Sequence, residues 1–386
     1  MNIKKSTILA AALLLSSGAV FAQKDDGDRS RIAEYEKNKL PIVFVEDQKN
    51  KSAKTSNMNF EELTMVDGII NFKLSFTDGT PGSVFVPINK EGVKFKYRVT
   101  DDLKRLRSAY ARGKWEEAVS AGRRVIYPAV VIMDIPERIT NVQENLPMFV
   151  ESLLRANRYL EAKGLMESLP LSKSTYNVGL AAVEYVNLMI DAKRYEEANS
   201  ALERLNFGGA NIDNIDSIME IAHKFRKIGR IGDAVRWYTK LQSTPGNANK
   251  NEATMWMAYC DVLNNSDISA RLFVDNLKNM PKTERAYSLK CLVDGMLLEK
   301  AKKSSDAVDS YAEGIVYGDI TYDWMPIILY KIAKLYKADE NFTASNEIFE
   351  QIVLLYSDTE YAKLSKGEIV EIKVPEEEGE EEEFEE

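Results

Sequence analysis

The chain has 386 residues, one histidine, two cysteines and a formal net charge of −9 at pH 7. That length exceeds what one hydrophobic core normally serves, so a small module followed by an extended array is expected. A lone histidine excludes a His-Glu-x-x-His zinc pair, and the acidic balance works against nucleic-acid binding.

Residues 1–22 carry Lys4 and Lys5, an apolar run from Ile8 to Leu15, and small residues up to Ala22. This pattern predicts a secretory signal peptide cut after Ala22, and hence a periplasmic or outer-membrane associated protein, with secretion as the alternative. The apolar run is too short to span a bilayer, and no later run reaches about eighteen apolar residues, so no transmembrane segment is expected. Residues 23–40 are polar and mixed in charge, and read as a linker. From Pro41 the apolar period becomes two. Ile42–Val45 is a short apolar run, Ile70, Phe72, Leu74 and Phe76 alternate with polar residues, and so do Val93, Phe95, Tyr97 and Val99. With the turn cluster at 78–82 before Ser83–Ile88, this predicts a small antiparallel β module over 41–100 with three to five strands. Lys73, Lys94, Lys96 and Arg98 on its polar face read as a solvated face that deters edge pairing.

From Asp101 to about residue 370 the period is helical, and one phrase recurs. Ile228–Leu241 contains it in full, and versions stand at Gly113–Ala118, Asn157–Ala162, Lys193–Ala198 and Glu340–Ser345, with echoes ending at Ala270 and Ala307. The closing small residues are Ala118, Ala162, Ala198, Ala234, Ala270, Ala307 and Ser345, spaced by 44, 36, 36, 36, 37 and 38. A period near 36 with two helices per period marks a helical solenoid. The long first step, with Pro128, Pro136 and Pro147, predicts an extended insertion at about 127–142. Residues 360–370 read as a capping helix. Residues 371–386 form an acidic tail, with nine glutamates between Glu376 and Glu386, which leave the body close to neutral. Self-repulsion predicts that this tail is disordered, a solubilising bristle or a lure for basic surfaces.

Motifs for chemistry are few. His223 lies on a helix with no Gly-x-Ser-x-Gly elbow to accompany it, and reads as a surface or packing residue. Cys260 and Cys291 fall about two helical turns out of step in successive repeats, which predicts two buried thiols rather than a bridge. No phosphate loop, dinucleotide loop or calcium loop is present, so no cofactor or metal is expected. A pair of carboxylates for glycan hydrolysis needs no local motif and stays open as an alternative.

The helical part resembles the tetratricopeptide-repeat family. Family core positions of the first helix match at Leu146, Phe149, Val150 and Leu153; at Ala182, Tyr185, Val186 and Met189; at Ile218, Ile221, Ala222 and Phe225; and at Leu329, Ile332, Ala333 and Tyr336. The turn and second helix match at Gly229, Ile231, Ala234, Tyr238, Leu241 and Pro245, and the aromatics Trp115, Tyr159, Tyr195 and Phe342 are expected to plug the gap between paired helices. Two units depart from the pattern, with Asp261, Asp294 and Gly295 at core positions. The last repeat, ending near Leu355–Lys363, resembles bacterial envelope members of the family.

The resemblance implies a mainly α fold, a TPR-like α-solenoid over 101–370 preceded by the β module. It also implies a concave surface of first helices that binds a protein or peptide partner. Mapped onto this chain, that surface is Asn187, Met219, His223, Arg226, Lys227, Met255, Tyr259, Met296, Tyr330, Lys334 and Lys337. Methionines and tyrosines beside lysines suit an acidic or amphipathic peptide. The expected function is a non-enzymatic exported scaffold or adaptor in an envelope assembly or transport system, with a carboxylate-based glycan hydrolase on an α-helical scaffold as the alternative.

Overall fold

A computed structural model describes residues 42–45, 60–75, 79–87, 94–97, 99–135, 137, 141–173, 175–205 and 214–371. The expected signal peptide, the polar linker and all but the first residue of the acidic tail lie outside them. The chain divides into two compact units, residues 1–217 and 218–386.

The first unit opens with strands. β1 (Ile42–Val45) pairs antiparallel with β5 (Lys94–Tyr97), and β2 (Phe60–Val66), β3 (Ile69–Ser75) and β4 (Pro81–Pro87) form an antiparallel meander. The strands therefore make two sheets where one was expected. β2 was not foreseen because its sequence, Phe-Glu-Glu-Leu-Thr-Met-Val, does not alternate cleanly. Its partner β3 follows through Asp67 and Gly68, both at positive φ (50° and 73°), the backbone of a two-residue hairpin turn.

The rest of the first unit is helical: α1 (Asp101–Ala111), α2 (Trp115–Ile126), α3 (Leu146–Arg155), α4 (Tyr159–Ser168), α5 (Tyr176–Asp191) and α6 (Tyr195–Arg204). The insertion after α2 is not a solvent loop. It forms a 3-10 turn at Tyr127–Ile132 whose Tyr127, Ala129, Ile132 and Met133 are fully buried. Beneath it Arg123 clamps Glu161 through two hydrogen bonds of 2.7 and 2.6 Å, and the Tyr127 hydroxyl donates a third at 2.5 Å. Glu161 is 3% exposed, so these three donors compensate a buried charge.

The second unit contains most of α7 (Asn214–Lys227), then α8 (Ile231–Gln242), α9 (Lys250–Leu263), α10 (Asp267–Asn276), α11 (Arg285–Lys300), α12 (Ser304–Val316), α13 (Met325–Ala338), α14 (Phe342–Leu355) and α15 (Glu360–Glu368). The fold is thus mainly α, with TPR-like helix-turn-helix pairs after a small antiparallel β part. Within each unit, successive pairs pack on one another: α2 on α3 and α3 on α5, then α8 on α9, α9 on α11 and α12 on α13.

One backbone device closes every hairpin. Gly113, Asn157, Lys193, Gly229, Asn265, Lys302 and Glu340 all have φ between 58° and 81°, one per turn. Each donates its N–H to the carbonyl three residues back, and the following N–H reaches five back, as in Lys193 to Ile190 (2.9 Å) and Arg194 to Met189 (2.8 Å). This is the Schellman closure of a helix C-terminus. These residues are spaced like the small residues five positions later, and those, from Ala118 to Ser345, are at most 1% exposed. The two divergent units are therefore in phase with the rest. Their odd residues have local partners: Asp261 accepts from Ser269 (2.5 Å), Asp294 pairs with Arg271 (2.5 Å), and Gly295 leaves room for the Tyr311 ring, which an added Cβ would meet at 2.3 Å. The turn aromatics begin α2, α4, α6 and α14 and are half-buried, or 37% exposed for Phe342, so they cover hairpin edges rather than plug the interior. Tyr159, for example, lies under the Arg194 guanidinium at 4.9 Å.

Candidate binding cleft of the second unit

Three of the eleven mapped residues, Arg226, Lys227 and Tyr259, line one cleft of about 680 Å³ in the second unit. Four pieces of chain build it: the end of α7, Tyr259 and Leu263 on α9, the connection from Ile320 into the first turn of α13, and the junction Leu355–Tyr361 between α14 and α15. The α12–α13 connection is rigidly held. Trp324 is fully buried and donates its indole N–H to Ser288 Oγ at 3.0 Å, while Ser288 donates to the Gly314 carbonyl at 2.6 Å. Asp319 accepts from the Thr321 backbone and hydroxyl at 2.8 and 2.7 Å, which fixes the turn that presents Ile320. The Tyr356 hydroxyl then ties the far wall to this turn by donating to the Ile320 carbonyl at 2.9 Å. Thr359 caps α15 by accepting from the Ala362 N–H, which sets the direction of Tyr361 into the cleft wall.

Arg226 belongs to an aromatic stack. Its guanidinium lies 3.9 Å from the Trp256 ring centroid and 5.5 Å from that of Tyr259. Its Nε is shut off from solvent without a hydrogen-bond acceptor. Lys227 at the mouth pairs with Asp323 at 3.1 Å. Burial pulls the Asp323 carboxyl upward, but the Lys227 hydrogen bond and the neighbouring cations prevail and hold it below the ordinary aspartate range. Leu263, Ile320 and Leu355 stand 46%, 67% and 57% exposed around the opening, although they are large apolar side chains.

The other mapped residues go elsewhere. His223 is 3% exposed, bonded through Nδ1 to the Tyr238 hydroxyl at 2.7 Å and set edge-on to Trp256. Burial first, and then the Arg226 charge, push its pKa down to about 3. It is a neutral packing residue at ordinary pH. Met219, Met255 and Met296 are at most 6% exposed, so the methionines are packed inside rather than presented to solvent. Lys334 and Lys337 converge on Glu368 of α15 at 2.8 and 2.9 Å, joined by the Tyr330 hydroxyl at 3.3 Å. Hydrogen bonds from Lys334 and then Lys337 draw the Glu368 carboxyl down to about 2. The capping helix thus occupies the cationic end of the mapped surface. Asn187 is half-buried on α5 of the first unit.

A second hollow of about 440 Å³ lies beside α10, but its charges are internally matched: Arg271 with Asp294 and Lys300 with Asp267. Cys260 and Cys291 are free and buried, and burial pushes both thiols up to about 12. Among the described residues no cluster of three or more His, Cys, Asp or Glu could hold a metal, and no helix is long and apolar enough to cross a membrane. The cleft drew little from sequence because Ile320, Tyr322, Tyr356 and Tyr361 lie at or beside junctions between repeats, outside the periodic positions. The one available signal was the concentration of aromatics at 317–324 and 356–361.

No family model matches the chain, and no curated protein matches it. Among solved structures the chain is similar to PilW, a widely conserved type IV pilus biogenesis factor, at 15% identity over 58% of this chain and 98% of that one, with a TM-score of 0.35. It is also similar to the C-terminal part of a TPR repeat-containing protein from Cytophaga hutchinsonii, at 13% identity over 68% of this chain and 98% of that one, again with a TM-score of 0.35.

Proposed function

We propose that the chain is an exported, non-enzymatic scaffold that binds a protein or peptide partner through the cleft of its second unit, within a cell-envelope assembly or transport system. The observation that carries this reading is the ring of exposed Leu263, Ile320 and Leu355 around a tyrosine-walled cleft of about 680 Å³. Apolar side chains grouped on rigid connections lose hydration free energy unless something covers them, and a partner segment is the natural cover. Of the mapped residues, Arg226, Lys227 and Tyr259 contribute to this surface, and His223 packs against Trp256, the ring on which Arg226 stacks. The charged, apolar and small sequence of residues 1–22 supports export and so an envelope setting. Asp323 does not suit the general acid of the hydrolase alternative, since Lys227 holds its carboxyl low whereas a general acid needs a raised one.

The test is affinity capture from an envelope extract by the full chain and by an Ile320→Asp/Leu355→Asp double variant, with melting curves to verify that both are folded. The proposal expects a specific set of proteins to be retained by the wild type and lost from the variant. Equal retention by both would refute it.

A further inference from the structure

The charge pattern inside the cleft bears on the chemistry of a partner segment. Of the cations on the mapped surface, Lys227 is consumed by Asp323, and Lys334 and Lys337 by Glu368. Arg226 is different: it forms no ion pair among the described residues, it is half-buried, and its Nε has neither acceptor nor solvent. Stacking on Trp256 and Tyr259 offsets part of the cost of withdrawing this charge from water, but it leaves the donor unsatisfied. Arg226 nonetheless lines the cleft, so a ligand carboxylate that meets its cleft-facing edge would supply the counter-charge that no described residue gives it in a direct pair, and planar guanidinium–carboxylate pairing is strongest where water is excluded.

At the mouth the polarity reverses. Asp358 and Glu360 are exposed lining residues, and no described side chain pairs with either. Being solvated, they need no partner, yet they repel a run of negative charge entering past them. One carboxylate on the floor is favoured, and a polyacidic segment is not. Around the same opening stand the exposed Leu263, Ile320 and Leu355, which ask for apolar side chains next to that carboxylate.

Resting on the scaffold reading above, we propose that the cleft recognises an apolar peptide segment of a partner protein carrying a single carboxylate, which seats on Arg226 while its apolar neighbours cover Leu263, Ile320 and Leu355. This reverses part of the expectation from sequence. An acidic group is still recognised, but by Arg226 rather than by the lysines, and as an isolated charge within an apolar stretch.

The experiment is selection of a random dodecapeptide display library on the full chain, in parallel on Arg226→Gln and on Leu263→Ser/Leu355→Ser, followed by titration of the winning peptides and their Glu-to-Gln and Glu-to-Lys versions. Wild type is expected to enrich apolar peptides with one Asp or Glu, and to bind the Glu version at least tenfold more tightly than the Gln version. Arg226→Gln should abolish that preference while keeping the weaker apolar binding; the leucine variant should weaken Glu and Gln versions alike. Enrichment of basic peptides, or a Glu preference that survives Arg226→Gln, would overturn the proposal and leave the scaffold reading standing. Failure to enrich any peptide would count against both. Displacement of the selected peptides by a synthetic copy of residues 372–386 would overturn an outside partner in favour of the chain's own glutamate-rich end.

Discussion

The buried imidazole of His223 gives the second unit a pH dependence that can be worked out in advance. In the folded chain the ring accepts or donates one hydrogen bond at Tyr238, 2.7 Å away, and rests edge-on against Trp256 at 5.0 Å between centroids. Its pKa falls from 6.5 to about 3, first through burial and then through the Arg226 charge, with Lys227 and Arg285 adding to the effect and Asp323 opposing it. The unfolded chain binds a proton below about pH 6.5 and the folded one does not until about pH 3, so stability is complete above 6.5 and is lost as pH falls through that interval. At pH 4.5 the difference of about two units, at about 1.4 kcal/mol each, amounts to about 3 kcal/mol. The perturbation is His223→Asn, which keeps a polar atom near the Tyr238 hydroxyl and removes the titration. Urea unfolding followed by tryptophan fluorescence reports on this region, because Trp237, Trp256 and Trp324 all belong to the second unit. Between pH 7.5 and 4.5 the wild type should lose about 3 kcal/mol more than the variant. Parallel losses would refute a neutral buried histidine.

Three further outcomes follow from the packing. Lys302→Gly and Glu340→Gly should each raise stability by about 0.5–1 kcal/mol in thermal or urea melts, since both residues hold left-handed backbone at φ of 60° and 61°; Gly229→Ala should cost about 1 kcal/mol. Glu161→Ala should destabilise the first unit by about 3–5 kcal/mol, because it removes the carboxylate that accepts from Arg123 and the Tyr127 hydroxyl and opens a buried void. Glu368 contributes stability that is present above about pH 4.5 and lost as pH falls towards 2, so amide protection of α15 should fade across that interval, and Glu368→Gln should show the faded pattern already at pH 7.

The repeat was legible because its two requirements act on single residues. A small side chain must stand where paired helices cross, and the turn before it must enter left-handed space, so Ala270 and Ala307 kept the phase even where glycine and aromatic had been replaced. Asn265 and Lys302 fill the turn position in those units and conceal it from a search for glycine. Burial was harder to read. Met255, Met296 and His223 occupy positions that the family pattern turns outward, yet neighbouring helices cover them here. Lys334 and Lys337 look like free cations until α15 brings Glu368 back over them. The cleft itself depends on contacts such as that between the Tyr356 hydroxyl and the Ile320 carbonyl, which join the junctions after two successive repeats rather than the helix positions that the period aligns.

Whether a partner sits in the cleft of the second unit can be read from amine cross-linking with mass spectrometry on the native envelope. Lys227 stands at the cleft mouth with its side chain 57% exposed, and Lys363 is exposed on α15, while Lys104 and Lys114 sample the first unit. Cross-links to another protein should gather at Lys227 and Lys363 and disappear in the Ile320→Asp/Leu355→Asp variant. Cross-links gathered at Lys104 and Lys114 and indifferent to that variant would rule the cleft out as the partner's seat.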